Sequence, residues 1–524
     1  MNADNLPQPT TESPNVYGVI DIGATSVRML IAEVRANSAL RVLENLSQAV
    51  NLGRDSFLEG SLRTRTIEDC VDVLKIYQHK LCTEYQIPLE RIRVVATSAV
   101  REAANRQTFQ DRVFIATGFD IEPFDEAVLH RVTYLGALPF LQSSPALNEQ
   151  QTVICEIGGG STELLVLDHG LIKFTRTYRL GSLRLQKIIE SYHLPLAEVR
   201  YLMETQINQT VKEIRGAVDM NQPVTLLVMG GDMRLAAKKL TGEDPSEKLV
   251  SVHVDALNKF TDAVVIETTD HLVRDFSLSI PEAESFGPAL LANLLIAKGL
   301  KIETLQVANA NIRDGLIKEM AAGTRWSQAV TRQILQSAFL LGRKFQIDET
   351  HARHVGALVK SLFEQLSALH QIKPRYELLL GLAAILHEVG LYIGYRGFHK
   401  HSEYVIRNAG LFGIGRDDID VVAQVARYHR RASPGPTHAA FAQLGRKDRV
   451  IISKLASILR LAKALDATRS QRVKNIKCTV TGKQVNIHVT GLVDLTIEEL
   501  ELREKSQLFR EVFGFNVQLL KSIN

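Results

Sequence analysis

Cysteine is scarce: Cys70, Cys82, Cys155 and Cys478 are the only four in 524 residues, and no two stand close together. That spacing excludes a disulfide framework and a cysteine-rich zinc site, and it suits a reducing, cytoplasmic setting. Long apolar runs are missing as well. The stretches around Ala289–Ala297 and Leu378–Leu386 are too short to cross a bilayer, so a soluble chain without a membrane partner is expected. The opening MNADNLPQPTTESPN has neither a basic start nor an apolar core, which excludes a signal peptide and reads as a disordered tail. Charge of one sign is absent too. With 62 basic and 58 acidic residues the net charge is +4, too balanced to point to nucleic acid, so any phosphate-binding surface must come from local placement. What remains is 45% apolar and 23% charged, enough for sizeable cores and about three or four domains.

Two segments resemble each other. VYGVIDIGATSVRMLIAEV from Val16 and TVICEIGGGSTELLVL from Thr152 both read strand, acid, glycine turn, hydroxyl, strand. A duplicated hairpin predicts two related lobes facing each other across a cleft; the plain alternative is chance likeness of two strand–turn–strand units. Strands at Arg93–Thr97 and Val224–Met229, each followed by helical pattern, give an α/β reading. Beyond residue 321 the period is helical throughout, and KCTVTGKQVNIHVT then restores alternation. The expected layout is a tail over 1–15, lobe I over 16–137, lobe II over 138–320, a helical domain over 321–469 and a small α+β domain over 470–524.

Hydrolysis of a phosphoanhydride needs held phosphates, neutralised charge and an oriented water. Glycine turns let backbone N–H groups approach phosphate oxygens. Three stand at strand ends: Gly23 with Thr25 and Ser26, Gly158-Gly159-Gly160 with Ser161 and Thr162, and Gly230-Gly231. Asp21, Glu156 and Glu163 adjoin these turns, and a carboxylate at a buried strand end is costly unless it is paired or binds a cation. They are candidate Mg²⁺ ligands, with ordinary turn capping as the alternative. Arg28, and Ser98 and Arg101 after the Arg93–Thr97 strand, are candidate phosphate ligands.

At these residues the sequence resembles the exopolyphosphatase and guanosine pentaphosphate phosphohydrolase family, of the actin-like (ASKHA, ribonuclease H-like) superfamily. DIGATSVRM, ATSAVREAAN, EIGGGSTELL and NIRDGL carry the likeness. It implies two actin-like lobes, a Mg²⁺ cofactor, and hydrolysis of terminal phosphate from inorganic polyphosphate. Guanosine pentaphosphate is the alternative substrate, and a phosphate or alarmone sensor with weakened catalysis is a further reading. By resemblance Asp21 and Glu156 lie near metal and phosphate, Glu163 belongs to the same catalytic cluster, and the base is Asp125 or Glu126. Glu126 stands about three residues farther from Leu135-Gly136 than the family pattern has it. A homodimer is also implied by the family alone.

The helical domain resembles the HD-like domain of long family members, through His351, LHEVG at Leu386–Gly390, His399-Lys400-His401 and RYHRR at Arg427–Arg431. Glu388 replaces an aspartate, and Lys463 stands where a second aspartate is expected, which reads as a degenerate metal site. His399, His401, Arg427, His429, Arg430 and Arg431, with Arg446, Lys447 and Arg449, form a candidate polyphosphate track; a solvated basic face is the alternative.

Overall fold

The computed structural model describes residues 15–35, 40–186, 196–245, 248–490 and 494–522. The tail expected over 1–15 lies outside these residues except for Asn15. Two compact units are present, Met1–Val330 and Thr331–Asn524.

The first unit contains two sheets. In one, β1 (Val16–Ile22), β2 (Ser26–Val34) and β3 (Leu40–Ala49) form an antiparallel meander, and β4 (Ile92–Ala96) and β5 (Ile121–Pro123) add parallel to β1, giving the order β3-β2-β1-β4-β5. The second sheet repeats the plan. β6 (Gln151–Ile157), β7 (Thr162–Asp168) and β8 (Leu171–Tyr178) form the meander, and β9 (Val224–Met229) pairs parallel with β6. β10 (Val250–His253) and β11 (Thr304–Val307) complete the order β10-β11-β9-β6-β7-β8. The central strands β1, β2, β6 and β7 are apolar on both faces, as buried sheets require, whereas edge strand β3 is largely exposed. Duplication is therefore visible in strand order as well as in sequence.

The lobe boundary expected at 137/138 falls inside the helix Glu126–Ser143. The helix Ile312–Ala321, assigned to lobe II by sequence, instead packs on β1 and on Glu126–Ser143. Its Ile312, Leu316 and Ile317 share a core with Val19, Val95 and Phe124 of the first lobe. The chain thus returns to lobe I before entering the second unit.

That unit is helical up to Leu465. Helix Arg375–Leu386 is buried almost all round, as its unbroken LLLGLAAIL predicts, and packs between helices Glu349–Gln365 and Arg416–Arg427. Helix Arg446–Leu465 closes the group. Strands β12 (Ile476–Thr481), β13 (Gln484–Thr490) and β14 (Asn516–Ser522), with two helices between β13 and β14, form the terminal α+β part. No helix among the described residues is long and apolar enough to cross a membrane.

Candidate active site

The two hairpin turns are built alike. Gly23 N–H donates to Ser26 O at 3.0 Å, and Gly158 N–H donates to Ser161 O at 2.8 Å. Behind each turn, other backbone N–H groups take the carbonyls: Gly53 reaches Ala24 O and Val50 reaches Thr25 O, while Ser182 reaches Gly158 O and Leu183 reaches Gly159 O. Arg184 Nε holds Gly160 O at 2.6 Å. In a trans peptide the C=O and the following N–H point opposite ways, so tying the carbonyls back turns the N–H groups of Thr25, Ser26, Gly159, Gly160 and Ser161 toward the other side. Both turns line one cleft of about 350 Å³. The result is a pair of amide cradles suited to anionic oxygens.

The segment Gly181–Arg184, which supplies that backing, carries no motif of its own. A methyl on Gly181 would sit 2.3 Å from Gly159 O and 2.4 Å from Gly160 C, so only glycine lets the two segments approach this closely. Arg184 is fixed by a salt bridge to Glu102 at 2.6 Å and by stacking on Phe57, its guanidinium carbon 4.0 Å from the ring centre.

Acids and arginines interleave in the cleft. Register pairs Asp21 with Arg28 in one hairpin and Glu156 with Glu163 in the other, so the two turns present equivalent positions. Asp21 is buried, and its Oδ1 has no hydrogen-bond partner among the described residues. Burial raises its pKa, and Arg313 and Arg28 oppose the rise. Glu156 is pushed up to about 7, by burial first and then by the charges of Glu163 and Asp21. Thr133 Oγ1 donates to it at 3.3 Å. Glu163 is more tightly held: Ser161 Oγ donates to it at 2.9 Å, Thr177 also donates, and His130 Nε2 lies 3.2 Å away. Asp21, Glu156 and Glu163 thus share the cleft, Asp21 with one oxygen left over.

Sequence reasoning missed several lining residues. Asp232, in the first turn of helix Gly231–Thr241, is raised to about 6, chiefly by burial, with Arg28 opposing and Glu282 adding to the rise. Arg313 is buried and Arg234 partly so, and the pKa of each is lowered by desolvation and by neighbouring arginines. Arg313 Nε and Nη1 have no hydrogen-bond partner among the described residues. Crowded guanidiniums of this kind favour an anion between them. Leu129, Leu235, Phe276, Leu278 and Ile312 provide apolar lining. NIRDGL was a clue to Arg313; nothing local in the sequence ties Phe276 to the cleft.

Of the predicted residues, Asp21, Gly23, Thr25, Ser26, Arg28, Ser98, Glu156, Gly158, Gly159, Gly160, Ser161, Glu163, Gly230 and Gly231 come together here. Thr162 does not: it is fully buried and its hydroxyl donates to Leu180 O. Arg101 turns to the carbonyl of Phe124 at 3.1 Å. Asp125 and Glu126 follow β5 at the carboxyl edge of the sheet but do not line the cleft. Asp125 accepts from Val128 N–H at 2.8 Å as the helix N-cap, and Glu126 is exposed. Leu129, three residues on, is the cleft residue of that helix. The three extra residues noted in the sequence thus amount to almost one turn, which carries the acid pair away.

In the second unit, His399, Arg427, Arg430 and Arg431 line a separate pocket of about 340 Å³ with Lys400 and His438. His401, Arg446, Lys447 and Arg449 are not among its lining, and His429 is fully buried. Asp466 meets Nδ1 of His351 at 2.7 Å, and Lys463 Nζ stands 3.2 Å from Glu388 Oε1.

The Ppx/GppA phosphatase family profile matches residues 30–323, and the profile of Ppx/GppA phosphatase domain III matches residues 335–508. The chain belongs to the Ppx/GppA phosphatase family. A guanosine-5'-triphosphate,3'-diphosphate pyrophosphatase of Vibrio atlanticus is 23% identical over 505 residues, covering 95% of this chain and 97% of the relative. The protein of the same name from Aeromonas hydrophila is 26% identical, covering 76% and 77% respectively. Among solved structures, an exopolyphosphatase from Cytophaga hutchinsonii aligns with TM-score 0.52 and 19% identity, covering 59% of this chain and 98% of its own. The fold of the first unit is therefore actin-like α/β, and Ppx/GppA membership makes the chain a phosphoanhydride hydrolase.

Proposed function

We propose that this Ppx/GppA protein removes the terminal phosphate of guanosine pentaphosphate, leaving the tetraphosphate, by in-line attack of water in the cleft. One observation carries the reading: the two amide cradles and three arginines share their cleft with an apolar wall that includes Phe276 and Leu278. Inorganic polyphosphate has no use for such a wall, whereas a purine does. The near full-length relatives named for the guanosine substrate support the same choice.

The cradle N–H groups, with Arg28, Arg234 and Arg313, hold the terminal and penultimate phosphates and stabilise charge as the bridging P–O bond breaks. Asp21, Glu156 and Glu163 would hold Mg²⁺, which when bound would offset phosphate charge. Asp232 takes the proton of the attacking water. It is the cleft carboxylate outside both the metal set and the capping box, to which Glu282 belongs at Ser279. A carboxylate raised to about 6 is a better base near neutrality than an ordinary one.

Inorganic polyphosphate, the substrate expected first from sequence, keeps one observation in its favour: the cationic pocket of the second unit. Phosphate release from the two substrates, side by side with Mg²⁺, tests the proposal. A kcat/KM at least tenfold higher for guanosine pentaphosphate supports it; the reverse ratio selects polyphosphate. Binding of either without turnover leaves a sensor.

A further inference from the structure

Helix Glu126–Ser143 reaches two of the cleft carboxylates from behind. It packs on β7 and β8, and His130 and Thr133, three residues apart, share one of its faces. Both are buried, and neither lines the cleft. Thr133 Oγ1 donates to Glu156 Oε2 at 3.3 Å, and His130 Nε2 stands 3.2 Å from Glu163 Oε2. Glu156 and Glu163 are direct partners across β6 and β7. Almost one helical turn therefore spans the two acids, and each receives a donor from the same helix face.

The donors around Glu163 fill its two oxygens unevenly. Ser161 Oγ donates to Oε1 at 2.9 Å, and Thr177, opposite Glu163 on β8, donates its one hydroxyl proton to Oε2. Thr177 Oγ1 is also 3.1 Å from His130 Nε2, and with its proton already placed it can only accept there. A carboxylate can only accept as well, so Nε2 carries a proton directed at both Thr177 and Glu163. Oε2 thus receives two donors and Oε1 one. At two lone pairs per oxygen, Oε1 alone keeps a lone pair to offer the cleft.

We infer that His130 is a positioning residue for the cleft cation: with Thr177 it closes Oε2 of Glu163 and leaves Oε1, the oxygen beside the glycine turn, as the single donor to a divalent ion. This rests on the proposal that Asp21, Glu156 and Glu163 hold that ion. Asp21 supplies the contrast, since its Oδ1 has no hydrogen-bond partner among the described residues. The ion would meet one acid left free and two set in advance by one helix. Hydrogen-bond partners behind metal ligands are typically worth 10–100-fold in metal affinity. A histidine that only filled space would leave that affinity unchanged once its volume was replaced.

The test is Mn²⁺ binding to the full chain without substrate, read from the electron paramagnetic resonance of the free ion, beside kcat and KM at rising Mg²⁺. His130→Phe keeps the volume and removes the donor. It should weaken the tightest Mn²⁺ site roughly 10–100-fold and raise the Mg²⁺ needed for half-maximal kcat by a similar factor. KM for guanosine pentaphosphate at saturating Mg²⁺ should stay within about threefold, because the phosphate cradles are untouched. His130→Gln returns an N–H donor and should bind Mn²⁺ within about threefold of wild type. Wild-type affinity in His130→Phe, or a loss in His130→Gln as deep as in His130→Phe, would overturn the inference. Glu163→Gln should lose the site. If it does while His130→Phe does not, the inference alone fails; if Glu163→Gln also binds like wild type, the metal assignment fails and takes the inference with it. Should His130→Phe not fold, Thr177→Val decides: unchanged Mn²⁺ affinity refutes the inference.

Discussion

Substituting Gly181 by alanine tests whether the backing of the glycine turn sets catalysis. The added methyl would lie 2.3 Å from Gly159 O, 2.4 Å from Gly160 C and 2.5 Å from Gly159 C. These are backbone atoms of the cradle itself, so no side chain can rotate away. Ordinary contact begins about 1 Å farther out, and the turn or Gly181 must move by roughly that amount. A misplacement of about 1 Å costs about a hundredfold in rate, and overpacking costs typically 1–3 kcal/mol in stability. Gly181→Ala should therefore lower kcat/KM for phosphate release by about two orders of magnitude while lowering the melting temperature by only a few degrees. Gly216→Ala is the control, because its methyl meets nothing within 4 Å and relieves a helical glycine. Wild-type kcat/KM in Gly181→Ala would refute the claim that Gly181–Arg184 positions the phosphate turn.

Asp232→Asn should lower kcat by 10²–10⁴-fold with little change in KM and should abolish the acid limb near pH 6, whereas Asp125→Asn and Glu126→Gln should stay within a few-fold of wild type. A collapse of kcat in Asp125→Asn alone would return the base to the acid pair at the sheet edge. Glu156 titrates about 7 in the folded chain against 4.5 unperturbed, so between those values the native state holds the extra proton and metal-free stability falls as pH rises. The loss totals roughly 3 kcal/mol by pH 8, and Glu156→Gln in EDTA should remove it; parallel pH slopes in urea unfolding would contradict this. Phe276→Leu keeps apolar volume but loses the ring, and should raise KM for guanosine pentaphosphate roughly three- to tenfold while leaving polyphosphate kinetics alone.

The lobes were legible because the duplicated hairpin is written locally: acid, glycine turn and hydroxyls lie within about eight residues, and the same hydrogen bond closes both turns. The missed residues share one property, which is distance along the chain. Asp232, Phe276 and Arg313 reach the cleft from three separate segments and Gly181 backs its turn from a fourth, and these positions become informative only once β6, β7 and β9 are stacked. Asp125 and Glu126 lie outside the cleft lining for a different reason. Asp125 departs from the family's glutamate, and Leu129 is the residue of that helix that lines the cleft. The part played by Asp466 was missed for a related reason. Helix Arg446–Leu465 ends just before Asp466, and the residue after the helix, not the one in its last turn, meets His351. Periodicity locates helices well and their final residues poorly.

The central claim is that water attacks the terminal phosphoryl group in the cleft of the first unit. Its most direct test is product analysis of guanosine pentaphosphate hydrolysis in ¹⁸O-labelled water with Mg²⁺. The account predicts guanosine tetraphosphate without label and inorganic phosphate carrying one ¹⁸O atom, with both products lost in Gly181→Ala and Asp232→Asn. Release of pyrophosphate, label in the nucleotide, or products undiminished in both variants would contradict it.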